Sequence, residues 1–265
     1  MKSYRLALLA ITLSLAACSS MPGKNADIDA VMTASGLDAQ IAQLNTPLAT
    51  DKMDGPLAMI PDEWISMVNS TIAENVKPDE IRSKLRSELQ KGLSGPELNA
   101  VQAFYESEAG KHVVAVESGK SVDHGAGMQI VNNDRSTLEA LANATGYGKA
   151  VSQLAQHGLN DAVDVAVKNG CFGLDQYPFA SMLVGVIKKT QLAALRESVN
   201  GMVRQRYSRL SSDDQADYLK FAQSTAGQKF FTARSNVMLD TAQRAGDKLN
   251  TQLGDEVKKI CKAKA

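Results

Sequence analysis

The sequence predicts an all-α protein, a tandem duplication of helical-hairpin units packed as a helical bundle. Three observations lead to this prediction. Apolar residues recur at spacings of three and four along most of the chain, which is the periodicity of an amphipathic helix. No segment alternates apolar and polar residues convincingly over the length of a strand. A capped helix followed by a phenylalanine and a Ser-x-Ala-Gly corner occurs twice, 117 residues apart.

The chain begins with a segment that resembles a bacterial lipoprotein signal peptide, residues 1–17. Lys2 and Arg5 precede an apolar stretch that is too short to span a bilayer. The sequence Leu-Ala-Ala-Cys at 15–18 resembles a lipobox. That resemblance implies cleavage before Cys18, a diacylglycerol on its thiol and an acyl chain such as palmitate on its new amino group.

The residues around Cys18 also predict where the folded part lies. A generic secretory signal with an accidental Cys18 is the alternative, and the polar residues at 19–20 favour the lipobox. In enteric-type sorting an aspartate after the lipidated cysteine retains a lipoprotein at the inner membrane, whereas this chain has Ser19. The expected location is therefore the outer membrane, facing the periplasm. Residues 18–25 form a lipidated tether that reaches about 25 Å at most.

Composition and charge limit the class of protein. An apolar fraction of 44% and a charged fraction of 22% are ordinary for a globular chain of this length. The chain holds 29 basic and 29 acidic residues, and the signal peptide takes two of the basic ones, which leaves 27 against 29. This near balance argues against a nucleic-acid surface and against an electrostatic membrane patch. No second apolar run approaches the length of a membrane span.

Helix signals follow one another along the chain. Pro61 and Pro78 each stand at the start of a predicted helix, a favoured place for proline. A longer apolar stripe predicts a helix over 179–207, and residues 46–61, with three prolines, predict a loop. Gly92 is placed as a helix C-terminal cap, as is Gly170. The stripes of the first two helices are Ile65, Val68 and Ile72, and Ile81, Leu85 and Leu89.

The repeat pairs residues 93–111 with residues 210–228. Each copy opens with a serine N-cap and an acidic residue three positions later, as in a capping box. The phenylalanine of each copy is predicted to enter the core, and the corner glycine, which lacks a β-carbon, allows a tight corner or close packing. The matching positions are Leu93 and Leu210, Ser94 and Ser211, Phe104 and Phe221, Ser107 and Ser224, Ala109 and Ala226, and Gly110 and Gly227.

A second set of matches extends the repeat upstream. Ala34-Ser35-Gly36 corresponds to Ala144-Thr145-Gly146 at an offset of 110 residues. The two copies together account for nearly all of the chain after the tether. The predicted organisation is a first helical repeat over 26–133 and a second helical repeat with a C-terminal helix over 134–265.

The first copy carries a recognisable motif. Its form, Phe-Tyr-x-Ser-x-x-Gly-Lys, is built by Phe104, Tyr105, Ser107, Gly110 and Lys111. It resembles an uncharacterised bacterial periplasmic family, a domain of unknown function. The resemblance implies an all-helical envelope domain and brings no activity or catalytic residue. The second copy has Ala222 in the tyrosine position and Gln228 in the lysine position, so the repeats are predicted to preserve a scaffold rather than a site.

Two cysteines besides Cys18 lie in what would be a disulfide-permissive compartment. A disulfide between Cys171 and Cys261 is predicted, and it would close a loop of 90 residues. A loop of that length corresponds to about 4 to 5 kcal/mol of stabilisation by chain entropy. Two buried free thiols are one alternative. A metal site is the other, and it lacks a nearby histidine or third thiol.

Catalytic patterns are weak. The three histidines, His112, His124 and His157, include no pair at four-residue spacing, which excludes a zinc-protease helix. Gly119-Lys120-Ser121 imitates the end of a phosphate-binding loop, but Val114 stands where that motif needs glycine. Residue order alone leaves a Ser-His-Asp triad open, although no Gly-x-Ser-x-Gly elbow is present.

These observations predict a periplasmic lipoprotein on the outer membrane with a non-catalytic role as an envelope interaction or accessory protein. Its expected partners are the membrane, through the lipid, and an envelope protein, with no nucleic acid, metal or cofactor. The alternative is a carrier or chaperone that holds an apolar ligand between its helices; an enzyme is less favoured. A closed apolar pocket would favour the carrier, and an exposed apolar patch above about 400 Å² would favour the interaction protein.

Overall fold

The computed structural model describes residues 27–44, 62–122, 135–146, 201 and 204–263. Every regular element in these ranges is helical and none is a strand, which confirms the all-α class. The helices are α1 (Ile28–Ala34), α2 (Leu37–Gln43), α3 (Asp62–Asn75), α4 (Pro78–Gly92), α5 (Gly95–Glu106), α6 (Glu108–Glu117), α7 (Arg135–Ala144), α8 (Ser212–Gln223) and α9 (Thr225–Ala263).

Helix α9 organises the bundle. Its 39 residues span about 58 Å, and α3, α4, α5 and α8 all pack against it. Helix α1 packs on α5, and α7 packs on α8. Buried apolar side chains from α1, α2 and α4 to α9 join in one continuous cluster, so a single core connects the two predicted repeats.

The predicted helix starts agree with the structure where it describes them. Pro78 occupies the first turn of α4, and Ile81, Leu85 and Leu89 are at most 1% exposed. Gly92 is the last residue of α4 rather than a residue beyond it, because the chain leaves the helix in an extended conformation at Leu93. The predicted helix over 179–207 lies mostly outside the described residues, of which 201 and 204–207 are helical.

The two corners with the sequence Ser-x-Ala-Gly have the same geometry. In the first hairpin, α5 and α6, the Ser107 hydroxyl donates to the Phe104 carbonyl at 2.6 Å and accepts from the Gly110 N–H at 3.1 Å. In the second, α8 and the start of α9, Ser224 makes the equivalent bonds at 2.6 and 3.1 Å. Each serine thus caps the incoming helix and orients the outgoing one.

The glycine of each corner is required by close approach of backbone. A β-carbon on Gly110 would lie 2.0 Å from the Phe104 carbonyl oxygen, and one on Gly227 would lie 2.0 Å from the Phe221 carbonyl oxygen. Neither residue has a positive φ. The predicted reason for these glycines, close packing at a corner, is therefore confirmed.

The two hairpins face each other across a stack of aromatic rings. Phe104 and Phe221, which occupy matching positions, stack with ring centroids 4.1 Å apart and planes inclined by 4°. Phe221 is buried, as predicted. Phe104 is only partly buried, which corrects the prediction for this residue. Its ring also contacts the rings of Tyr218 and Tyr105, with centroids 5.7 and 5.1 Å away.

Polar contacts between the hairpins are reciprocal. Lys229 of the second hairpin lies 2.7 Å from Glu97 of the first. His112 of the first lies 2.9 Å from Asp214 of the second. Since 97 matches 214 and 112 matches 229 at the offset of 117, the two contacts join the same pair of positions in opposite directions. Such a reciprocal pattern is what contacts between two equivalent surfaces would give.

Candidate functional site

A cluster of buried titratable side chains lies between the hairpins, centred on Glu117. Its carboxylate accepts hydrogen bonds from the hydroxyls of Tyr207, at 3.2 Å, and Tyr218, at 2.9 Å, on Oε1. Gln40 donates to Oε2 at 3.1 Å, and Arg234 Nη1 lies 3.6 Å from the same oxygen. Three donors and one cation therefore compensate the charge of this buried carboxylate.

Arg234 supplies the only positive charge that the described contacts place beside Glu117. Its side chain is 8% exposed, and its guanidinium lies over the ring of Phe231, with 4.8 Å between Cζ and the centroid. Burial acts to lower the pKa of Arg234, but the Glu117 charge raises it, and the net result is a raised pKa. Arg234 therefore stays charged, and ion pair and aromatic ring together replace its lost hydration.

Three tyrosines complete the cluster, and all three are fully buried. Burial, assisted by the charge of Glu117, raises the pKa of Tyr105, Tyr207 and Tyr218. They are neutral hydrogen-bond donors at physiological pH. The Tyr105 hydroxyl has no hydrogen-bond partner among the described residues.

Stability should therefore fall at alkaline pH. Because the folded-state pKa of these tyrosines lies above the value of about 10 in an unfolded chain, their contribution is complete below pH 10 and is lost as pH rises beyond it. We expect tyrosinate absorbance from Tyr105, Tyr207 and Tyr218 to appear together with the loss of near-ultraviolet circular dichroism. Ionisation of all tyrosines near pH 10 in a chain that remains folded would contradict the burial of this cluster.

A surface groove of about 810 Å³ is the second feature, and it lies between α7, the end of α8 and the first turns of α9. No charged residue belongs to its described lining. Half of its described lining residues are small or apolar: Ala140, Ala144, Gly146, Ala222, Phe231 and Leu239. Its hydrogen-bonding residues are Asn143, Gln223, Gln228, Thr232, Ser235 and Asn236.

The predicted repeat-motif residues are structural. Ser107, Gly110, Ser224 and Gly227 build the two corners. Phe104, Tyr105 and Phe221 meet in the aromatic contact between the hairpins. Cys18 and Cys171 lie outside the described residues. Cys261 lies in α9, with its side chain outside them.

The other sequence candidates are dispersed. His112 bonds to Asp214 across the hairpin interface. His124 and His157 lie outside the described residues. Gly119, which belongs to the false phosphate-binding loop, follows the C-terminus of α6 with a φ of 79°. Within the described part of the chain, no group of three or more His, Cys, Asp or Glu residues could hold a metal ion.

The sequence predictions did not include the Glu117 cluster. A signal for it exists, because Glu117 and Arg234 are 117 residues apart and thus occupy the same position of the two repeats. Both lie on the apolar faces of their helices, next to residues such as Val113 and Phe230. Opposite charges at matching apolar-face positions of the predicted repeats are the feature that could have indicated a buried pair.

Comparisons with protein-family models, curated proteins and solved structures found no match to this chain. Among the described helices, none combines the length and apolar character that a membrane crossing requires. The features that bear on function are the N-terminal sequence, the buried cluster and the groove.

Proposed function

We propose that this chain is a lipoprotein anchored to the outer membrane, where it faces the periplasm and acts by binding, in a non-catalytic accessory role. The observation that carries the proposal is the N-terminal sequence, in which two basic residues, an apolar stretch and Leu-Ala-Ala-Cys end at Cys18. Ser19 favours the outer membrane. The tether over 18–25 would hold the helical part within about 25 Å of the bilayer.

The fold of this binding protein is proposed to be a tandem duplication. Matching corner geometry, the stack of Phe104 on Phe221 and the reciprocal polar contacts support it. The left-handed glycines of the upstream match agree as well, because Gly36 has a φ of 70° and Gly146 a φ of 65°. The resemblance to an uncharacterised periplasmic helical family belongs to the same proposal.

Binding is favoured over catalysis by how the polar groups are used. The buried titratable residues, Glu117 and Arg234 with their tyrosines, bond to one another in the interior. Neutral hydrogen-bonding groups line the groove at the surface. The alternative, a carrier of an apolar ligand, is less favoured, because half of the described lining residues of the groove carry hydrogen-bonding groups, whereas such sites are lined predominantly by apolar residues.

The anchor is tested by a single substitution. Cys18→Ser should move the protein from the membrane fraction to the soluble fraction, because without the thiol no diacylglycerol can be attached. Fractionation of cells, with metabolic labelling by a fatty acid, measures both effects. Ser20→Ala is the matched control and should remain membrane-bound. A Cys18 variant that fractionates and migrates like the wild type would refute the anchor.

The disulfide between Cys171 and Cys261 remains a prediction. Non-reducing electrophoresis after thiol blocking should show a faster-migrating species that reduction removes, and Cys261→Ser should abolish it. The bond would tie residue 171 to α9 and add about 4 to 5 kcal/mol of stability. Two alkylatable thiols in freshly isolated protein would show that the bond is absent.

A further inference from the structure

Three differences between the repeats converge on the groove. At the offset of 117, Ala222 replaces Tyr105. Gln223 and Gln228 likewise replace Glu106 and Lys111. All three residues of the second repeat line the groove. One large side chain and two charges of the first repeat have thus become a small side chain and two carboxamides at one place.

A smaller side chain stands in the place of the tyrosine ring at the groove. In the first repeat, Tyr105 is 2% exposed and its ring packs against Phe221 and Phe230. The matching Ala222 has no ring; it is itself fully buried and lies among the residues around the groove of about 810 Å³. Gly146, which also lines the groove, lets the chain after α7 approach α9, because a β-carbon there would lie 2.9 Å from Ser235 Oγ. The volume is within the range of small-ligand sites.

The hydrogen-bonding groups of the groove are neutral and available. Four carboxamides and two hydroxyls line it, and none of these six side chains hydrogen-bonds to another described residue. Carboxamides and hydroxyls both donate and accept hydrogen bonds. An anionic ligand would call for a cation and a cationic ligand for a carboxylate, and the described lining contains neither. The chemistry that matches is a neutral ligand rich in hydroxyl and amide groups.

A glycan fits these walls better than a peptide. Peptides bind by adding a strand to a sheet edge or by inserting apolar anchors into a groove between helices. The described walls are three helices without a sheet edge, and their larger side chains are mostly polar. We infer that the groove binds a neutral glycan that carries hydroxyl and acetamido groups, the chemistry of the cell wall beneath the outer membrane. This ligand class rests on the proposed periplasmic location.

The test uses the purified full-length lipoprotein in detergent, with calorimetry against a soluble oligomer of β-linked N-acetylglucosamine. We expect saturable binding, and co-sedimentation of the protein with isolated cell-wall sacculi. Gln223→Ala combined with Gln228→Ala should weaken binding of the oligomer at least tenfold. The matched control, Glu106→Ala with Lys111→Ala at the same positions of the first repeat, should bind as the wild type does.

A second variant tests whether a small side chain at position 222 is needed for binding. Ala222→Tyr restores the ring found in the first repeat and should also weaken binding at least tenfold. Because Ala222 is fully buried, this variant is compared only if its circular dichroism matches the wild type. The glutamine variants, whose side chains are exposed, keep the test valid if it does not fold.

The outcomes separate this inference from the proposed function. The glycan site would be overturned if the wild type does not bind the oligomer, or if the glutamine variants bind it equally well. Neither result bears on the Cys18 anchor, which is tested separately by cell fractionation. Equal binding of an unacetylated neutral glucan would overturn the acetamido assignment. Preference for a neutral peptide of glycine and serine would overturn the glycan in favour of a peptide.

Discussion

Gly227→Val is expected to destabilise the second hairpin strongly. A β-carbon at this position would lie 2.0 Å from the carbonyl oxygen of Phe221 and 3.0 Å from Cα of Ala222. Both are backbone atoms, so no rotamer change can relieve the overlap, and the corner itself must open. We expect a loss above about 4 kcal/mol, in the exceptional range for a single substitution and a large part of the total stability of a domain.

Gly110→Val should have the same effect in the first repeat. Its β-carbon would lie 2.0 Å from the carbonyl oxygen of Phe104 and 2.6 Å from Cα of Tyr105. Equal losses at Gly110 and Gly227 would support equivalent corners. Denaturant unfolding followed by circular dichroism measures both.

Gly246→Ala provides the control for the two corner variants. Gly246 lies within α9, and a β-carbon added there would meet no described neighbour within 4 Å beyond its own stretch of helix. Alanine there should stabilise the helix by about 0.5 to 1 kcal/mol, because glycine loses more backbone entropy on folding. A Gly227 variant as stable as the Gly246 variant would refute the corner geometry.

The corners show what the sequence could predict. Serine caps, corner glycines and helix periodicity act over a few residues, so Ser107 with Gly110, and Ser224 with Gly227, could be placed from local spacing alone. The extent to which Phe104 is buried could not be predicted in this way, because it depends on how the second hairpin stacks on the first. Local sequence patterns therefore predict the helices and their corners, whereas the exposure of a side chain depends on how the helices pack together.

The Glu117 cluster and the groove show the opposite case. Tyr207, Tyr218 and Gln40 reach Glu117 from sequence separations of 90, 101 and 77 residues. No helical periodicity relates residues so far apart. The departures at Ala222 and Gln228 were visible in the sequence, but their common location on one groove required the fold.

Removing one partner of the buried pair should destabilise the protein strongly. Arg234→Met leaves the Glu117 carboxylate buried without a cation. Glu117→Gln leaves the charge of Arg234 uncompensated. If the oxygen of the new carboxamide keeps the bonds from the two tyrosines, its N–H donors face the donors of Gln40 and Arg234. Each change should cost about 3 to 5 kcal/mol, the usual penalty for an uncompensated buried charge. Urea unfolding at neutral pH measures both losses.

The double variant distinguishes the cost of one uncompensated buried charge from the cost of losing the hydrogen bonds and packing of the two side chains. With Glu117→Gln and Arg234→Met combined, neither charge of this buried pair remains, so the loss should be smaller than the sum of the single losses by about 2 kcal/mol or more. Lys84→Met is the surface control: its ion pair with Asp240, at 2.8 Å, has side chains 46% and 51% exposed, and its loss should stay below about 1 kcal/mol. Strictly additive losses at Glu117 and Arg234 would mean that the two charges do not compensate each other. Coupling of the expected size would show that a charge pair at matching positions joins the two repeats from within the core.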